Sequence, residues 1–317
     1  MENRDKTEEF DLNSILKPLF IFSLPRSGST LLQRILASHD EIATVAEPWI
    51  LLPYLYTLKE KGVYAEYGHD VMTKAIKDFC KNLPNQQDDY LKEIHDFIIK
   101  IYAKAAPENT TYFIDKTPRY HLVIEEIINL FPEAKFIFLW RNPLAIAASM
   151  IETFGKSKGK WNLYGWKIDL FIGLTNLVTA SEKFSKKIYT LQYEDLIYQP
   201  NIELSKLFNY LDLKFNPEVI LNFNQINLRG KMGDPFRDKQ YQFISCDSLD
   251  KWKQTLANPI RKLWSQRYLN WIGQDRLTTM GYDLQELLKE IETIPTNLDM
   301  FSSDILRISY GIIYPFL

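Results

Sequence analysis

The sequence predicts an α/β fold of three layers: a central, mostly parallel sheet, helices on both faces, and a helical insertion. Three observations predict it. Short continuous apolar runs such as Leu19-Phe20-Ile21-Phe22 and Phe136-Ile137-Phe138-Leu139-Trp140 suit strands covered on both faces. These runs lead through a short polar loop into a segment whose apolar residues recur three or four apart, the period of a helix. Between the second and third candidate strands, the stretch from Ile50 to about Pro107 carries only helical stripes.

Taken in order, the first unit is the strand Leu19–Phe22, the loop Ser23–Thr30 and a helix carrying Leu31, Leu32, Ile35 and Leu36. A strand–loop–helix junction aims unpaired backbone N–H groups and the positive end of the helix at the loop. Gly28 permits close approach, Ser29 and Thr30 add hydroxyls, and Arg26 adds a planar set of donors. Arg26, Ser27, Gly28, Ser29 and Thr30 thus form a candidate site for a phosphate-like anion. The alternative is an ordinary βα turn in which Ser29 or Thr30 caps the helix. No lysine follows Gly28, so the GxxxxGK[ST] triphosphate loop is absent.

A second strand over Ile42–Val45 delivers Glu47, which Pro48 biases toward an extended backbone. Helical stripes follow over Ile50–Leu58, Val71–Leu83 and Tyr90–Ala106, with Pro84-Asn85-Gln86-Gln87 as a break. The strand Thr111–Ile114 ends in Asp115-Lys116-Thr117-Pro118-Arg119-Tyr120, on the side where open α/β sheets bind ligands. Lys116 either serves that ligand or merely pairs with Asp115 or a helix cap. A helix over Val123–Phe131 precedes Lys135–Trp140, the clearest central strand. Arg141-Asn142-Pro143 follows, Pro143 suiting the first turn of a helix, and Ser149 lies two turns further on. Arg141 and Ser149 make either a second anion site or a salt bridge and a helix serine. Lys156, Lys158 and Lys160 lie in a basic loop. The strand Ile188–Leu191 leads to Tyr193-Glu194-Asp195-Leu196, where Glu194 and Asp195 are expected to cap a helix. The loop Asn227–Pro235 carries Arg229 and Lys231, and the chain ends in an aromatic-rich tail, Asn297–Leu317, apolar enough to dock or to make a dimer contact.

Length and composition bound the class. With 317 residues, one domain with insertions is expected rather than two. A net charge of −2 gives no field that argues for nucleic acid or a membrane surface. Cys80 and Cys246 are too few and too far apart for a disulfide framework, and the four histidines show no ligand spacing. The charged start, Met1–Asp11, lacks a signal-peptide core, and no run of about 18 apolar residues occurs. A cytoplasmic location is expected, without membrane or nucleic-acid partners.

Pro25-Arg26-Ser27-Gly28-Ser29-Thr30, followed by Leu-Leu and an apolar helix, resembles the 5'-phosphosulfate-binding loop of sulfotransferases, enzymes that use 3'-phosphoadenosine 5'-phosphosulfate (PAPS). The arginine form of the loop resembles the bacterial, tyrosylprotein and carbohydrate branches, where cytosolic aryl members carry lysine. The resemblance covers roughly residues 19–255 and implies a P-loop-like fold. The chain length gives a single domain over 1–317, in which the helical stripes mark an insertion at about 50–107 and a helical C-terminal region follows at about 248–317. The resemblance also implies roles. The Glu47-Pro48 pair matches the general base of the tyrosylprotein and several bacterial members. Lys116 matches the lysine that touches the bridging or sulfuryl oxygens. The aryl branch's histidine base would fall at Pro118, so the base moves to Glu47. Arg141-Asn142-Pro143 with Ser149 matches the 3'-phosphate motif, Tyr193 lies near the adenine, and Arg229 and Lys231 match a late nucleotide-closing loop.

Sulfuryl transfer from PAPS to a hydroxyl or amine of a small intracellular acceptor, a bacterial natural product, is therefore the expected function. PAP is the product and no metal is needed. The catalytic set is Glu47, Lys116 and Arg26. A P-loop kinase would account for the first unit but not for the missing lysine or for Arg141 with Ser149. A non-enzymatic nucleotide-binding protein would have no use for Glu47.

Overall fold

The computed structural model describes residues 16–153, 159–230, 232 and 243–313. The first half of the chain runs β1 (Lys17–Phe22), α1 (Ser29–Ala37), β2 (Ile42–Thr44), α2 (Leu51–Tyr56), α3 (His69–Cys80), α4 (Gln87–Ala105), β3 (Tyr112–Asp115) and α5 (Ile124–Leu130). It continues through β4 (Lys135–Trp140), α6 (Pro143–Thr153), α7 (Leu174–Lys183), β5 (Ile188–Gln192), α8 (Tyr193–Tyr198), α9 (Pro200–Tyr210) and α10 (Glu218–Asn222). Four helices close the described chain: α11 (Lys251–Thr255), α12 (Pro259–Met280), α13 (Leu284–Thr293) and α14 (Phe301–Ile313). A 3-10 turn spans Pro118–Leu122, and a π turn, Ile168–Gly173, leads into α7.

The five strands form one sheet in the order β2-β3-β1-β4-β5, parallel at every pairing. This is the α/β three-layer fold that the sequence predicts. Alternation along the strands sorts the side chains. Phe20, Phe22, Phe136, Phe138 and Trp140 fill one face, the rings of Phe20 and Phe136 lying 5.8 Å apart. Leu19, Ile21, Ile137 and Leu139 fill the other, against Leu32 and Ile35 of α1 and Leu204 and Phe208 of α9. The aromatic face packs on α4, α5, α6, α7 and α12. A parallel sheet buried on both faces explains why its strands read as continuous apolar runs.

Because every strand runs the same way, the segments after β1, β2, β3, β4 and β5 emerge at one edge. β1 lies between β3 and β4, so chain direction across the sheet reverses at its end, where open α/β sheets form their ligand crevice. Arg26, Glu47, Lys116, Arg141 and Tyr193 all stand on that edge. Among the described residues, no helix is long and apolar enough to cross a membrane.

The aromatic-rich tail is a helix over much of its length. Asp304 of α14 is fully buried and accepts from Arg261 Nε at 2.6 Å and Nη2 at 3.1 Å, from Asn258 Nδ2 at 2.8 Å, and from the Trp161 N–H at 3.3 Å. The other guanidinium donors of Arg261 reach the carbonyls of Thr255 and Gly159. One carboxylate thus ties α14 to the start of α12 and to the segment after α6. Removing one partner of such a pair strands a buried charge, at a cost of about 3–5 kcal/mol. Asp304→Ala should therefore lower the urea midpoint by that equivalent with little change in the denaturant slope.

Candidate active site

The loop after β1 is built on two left-handed residues. Arg26 has φ of +72° and Gly28 φ of +90°. Gly28 is needed twice over: its φ disfavours a side chain, and a Cβ there would lie 2.4 Å from the Tyr193 ring. Gly28 itself occupies the N-cap of α1, with no side-chain cap bond. The capping alternative for Ser29 or Thr30 is corrected by this: both lie inside the first turn. The strained backbone at Arg26 is held from outside, since Arg141 Nη1 donates to the Arg26 carbonyl at 2.7 Å.

Arg141 stands at the end of β4 and builds one end of the site. Its guanidinium lies 4.5 Å from the centre of the Tyr193 ring, and its Nη2 donates to the Ser248 carbonyl at 3.3 Å. The Tyr193 hydroxyl and Ser248 Oγ are 3.0 Å apart. Arg26 Nε donates to Ser149 Oγ at 3.2 Å, so the first loop and the face of α6 meet directly. Asn142 caps α6 through the N–H groups of Leu144 and Ala145. Two buried polar atoms here, Ser27 Oγ and Arg141 Nε, have no partner among the described residues. Buried donors without partners are rare and ask for an explanation; anion oxygens in the loop and beside Arg141 would supply one.

The other end is a buried ion pair. Lys116 Nζ is 2.7 Å from Glu47 Oε1, with Lys116 3% and Glu47 8% exposed. Lys116 thus pairs with Glu47, not with its neighbour Asp115, and also approaches Thr30 Oγ1 at 3.5 Å. The second carboxylate oxygen of Glu47 accepts from the indole N–H of Trp49 at 3.2 Å. Gln33 of α1 donates to Thr44 Oγ1 and to the Val45 carbonyl, securing the chain just before Glu47.

Asp115 supports this end from below. Fully buried, it accepts hydroxyls from Tyr102 at 2.5 Å, Tyr120 at 2.8 Å and Thr117 at 3.2 Å. Burial pushes its carboxyl up to about 6 against the pull of those three hydroxyls and of nearby Lys116.

The structure therefore gathers Arg26, Ser27, Gly28, Ser29, Thr30, Glu47, Lys116, Arg141, Ser149 and Tyr193 along one edge. Arg229 reaches this edge by its backbone, and its side chain turns away from the loop after β1. The Arg229 side chain donates to the Ala105 carbonyl at 2.5 Å, and its own carbonyl accepts from the Ala46 N–H at 2.7 Å. It braces the segment before Glu47. Lys231, Lys156 and Lys158 lie outside the described residues. Glu194 is not a helix cap: it accepts from the Asn142 N–H at 3.0 Å and the Tyr282 hydroxyl at 2.7 Å, joining the ends of β4 and β5 to the segment after α12. Ser248, Trp49 and Asp115 are the partners that sequence reasoning missed. Among the described residues, no cluster of His, Cys, Asp or Glu is arranged to hold a metal.

A model of the sulfotransferase family matches residues 18–217, more than half of the chain, and the chain belongs to that family. Nodulation protein NoeE of Sinorhizobium fredii is 26% identical over 287 residues, covering 83% of this chain and 65% of that protein. This chain thus spans slightly less than two thirds of that relative's length. A putative protein-tyrosine sulfotransferase of Caenorhabditis briggsae is 25% identical over 261 residues, covering 80% of this chain and 86% of its own. A sulfotransferase domain from the curacin biosynthetic pathway shares the fold, with a TM-score of 0.55, 24% identity, and coverage of 81% of this chain and 97% of that domain. The relatives span tyrosylprotein and bacterial proteins, so the likeness marks the family and not one branch.

The raised Asp115 carboxyl has a signed consequence. The folded chain takes up this proton near pH 6 and the unfolded chain only near 3.8. Stability owed to this group therefore rises as pH falls from about 6 to about 4, and its burial cost is complete above 6. Two pH units correspond to about 3 kcal/mol. Denaturation of the wild type and Asp115→Asn should show the difference between them shifting by that order in favour of the wild type from pH 7 to pH 4.

Proposed function

We propose that the protein transfers the sulfuryl group of PAPS to a hydroxyl or amine of a small-molecule acceptor, of the bacterial natural-product kind, with Glu47 as general base. The observation that carries this reading is the buried Glu47–Lys116 pair at 2.7 Å, with Lys116 3.5 Å from Thr30 of the anion loop. A carboxylate and an ammonium side by side next to the loop after β1 support a proton acceptor and a stabilising cation at a phosphate-type site.

The 5'-phosphosulfate would lie over Arg26–Thr30, where backbone N–H groups, hydroxyls and the start of α1 favour an anion. The 3'-phosphate would go to Arg141 and Ser149, and the adenine beside Tyr193. In the transfer, the acceptor O–H or N–H gives its proton to Glu47 as the new bond to sulfur forms. The bond from sulfur to the bridging oxygen breaks, and PAP leaves with that oxygen. Lys116 and Arg26 stabilise the charge that gathers on the bridging and sulfuryl oxygens, as positioned cations do in phosphoryl transfer. Each carboxylate oxygen has two acceptor positions, so Glu47 can hold Lys116 and Trp49 and still receive the acceptor's proton.

Removing the base should leave the donor site intact. Glu47→Gln is expected to keep its affinity for PAP, measured by calorimetry, and to lose about 10²–10⁴-fold in labelled-PAPS turnover against a panel of phenols, sugars and alcohols. Turnover close to wild type would sink the base assignment. Arg141→Ala and Ser149→Ala should weaken PAP far more than adenosine 5'-phosphosulfate, which lacks the 3'-phosphate. Charge-assisted hydrogen bonds of this kind contribute about 1.5–3 kcal/mol each, roughly a 10- to 150-fold change in Kd for Arg141. Equal weakening of both nucleotides would refute the 3'-phosphate role.

A further inference from the structure

We propose that Asp115 is a positioning residue for Glu47, acting through the hydroxyls of Thr117 and Tyr120 on the backbone of the segment that carries the base. The inference rests on the reading of Glu47 as base and goes beyond it, because Asp115 lies behind the reacting groups and faces Tyr102, Thr117 and Tyr120.

The geometry fixes which way each proton points. The Trp49 backbone N–H donates to Thr117 Oγ1 at 3.2 Å, and the Leu51 backbone N–H donates to the Tyr120 hydroxyl at 3.2 Å. Both hydroxyls are therefore acceptors on that side. Each has a single proton, which must be given elsewhere. Both give it to Asp115, Thr117 to Oδ1 and Tyr120 to Oδ2, while Tyr102 of α4 also donates to Oδ2. An ionised carboxylate is acceptor-only, so it holds all three protons inward and leaves two lone-pair faces aimed at the backbone of residues 49 and 51.

That backbone needs holding. Trp49 has φ of +56°, an uncommon conformation for a bulky residue and one that persists only where its surroundings impose it. The same residue sends its indole N–H to Glu47 Oε2. The path is continuous: carboxylate of Asp115, hydroxyl of Thr117, backbone of Trp49, indole of Trp49, carboxylate of Glu47. Its three hydrogen bonds are each 3.2 Å long, and the remaining link is covalent, within Trp49. Tyr120 anchors the next turn, at the start of α2, by the same device. Without the Thr117 hydroxyl the Trp49 N–H loses its acceptor, the left-handed turn relaxes, and Glu47 is held by Lys116 alone.

The test uses Thr117→Val, which removes the hydroxyl at nearly constant volume, with Thr117→Ser as the conservative control and Asp115→Asn as the stronger lesion. A displacement of about 1 Å at a reacting group costs up to about 10²-fold in rate. In Thr117→Val, kcat for labelled-PAPS consumption with 4-nitrophenol or water as acceptor should fall about 10- to 100-fold. PAP affinity by calorimetry should stay within about twofold, and Thr117→Ser should return kcat to within about threefold of the wild type. Amide exchange should quicken over residues 47–52 and stay unchanged over 28–36. The effect should vanish in a Glu47→Gln background, since it acts through that carboxylate. A Thr117→Val enzyme with wild-type kcat and unchanged exchange at 47–52 overturns the proposal, as does a parallel loss of PAP affinity. Should Asp115→Asn fail to fold, the Thr117 pair decides alone. Normal turnover in Glu47→Gln would instead overturn the base reading, and the exchange measurement still judges the positioning network by itself.

Discussion

The ammonium of Lys116 is almost wholly withdrawn from water, and a charge in that position costs several kcal/mol unless a partner and further hydrogen bonds compensate it. Much of the site follows from that requirement. Lys116 continues β3 by one residue past Asp115, so its place is set by the sheet. The strand beside β3 is β2, paired Thr44 to Ile114, and Thr44 Oγ1 bonds the Ile114 carbonyl at 3.0 Å. Three residues beyond Thr44, through a bend at Ala46, bring Glu47 to the ammonium, and Pro48 keeps Glu47 from turning helical too early. The β2–β3 pairing thus gives the buried lysine its counterion and gives the carboxylate its place beside the loop after β1.

The opposite end obeys a similar constraint. Arg26 is held in a left-handed conformation, and the donor on its carbonyl comes from Arg141, at the end of the neighbouring strand β4. The register that sets Phe22 beside Phe138 carries both chain ends to the same height. Tyr193, from the end of β5, closes on Gly28 from one side and on Arg141 from the other. Three strand ends therefore share the strain of one loop. Glu194 and Asn142 reinforce the arrangement from behind, through the Asn142 N–H on Glu194 and the Leu144 N–H on Asn142.

Residues within a few positions of a strand end were legible in the sequence, because a parallel sheet collects all its strand ends on one edge. Gly28, Glu47, Lys116 and Arg141 belong to that class, and so do the strands themselves, whose burial on both faces writes continuous apolar runs. Contacts that depend on the rotation of a helix or the path of a long loop left no such trace. Tyr102 reaches Asp115 from the last turns of α4, and nothing in the spacing of 102 and 115 marks a shared hydrogen bond. Ser248 arrives from the far side of the chain. Arg229 carries the charge expected of a phosphate ligand but turns to the Ala105 carbonyl, since pairing of its backbone with Ala46 fixes where the side chain starts. The C-terminal helix depended on Asp304, whose partner Arg261 lies 43 positions earlier.

The pairing of Glu47 with Lys116 has a consequence for the timing of the proposed transfer. While Glu47 is ionised, it neutralises the ammonium and the buried pair is at rest. As Glu47 takes the acceptor's proton its charge disappears, and Lys116 becomes an uncompensated cation in a place where such a cation is costly. At the same moment negative charge grows on the oxygen between sulfur and phosphorus. The cation released by one event is the group that stabilises the other, and it needs only a small movement from Glu47 toward the loop at Thr30, which it already approaches. In the proposed transfer, proton removal and bond breaking would thereby be coupled through a single ammonium. That coupling requires Glu47 to be held independently of Lys116, or the carboxylate would follow the lysine; Trp49 supplies that second hold.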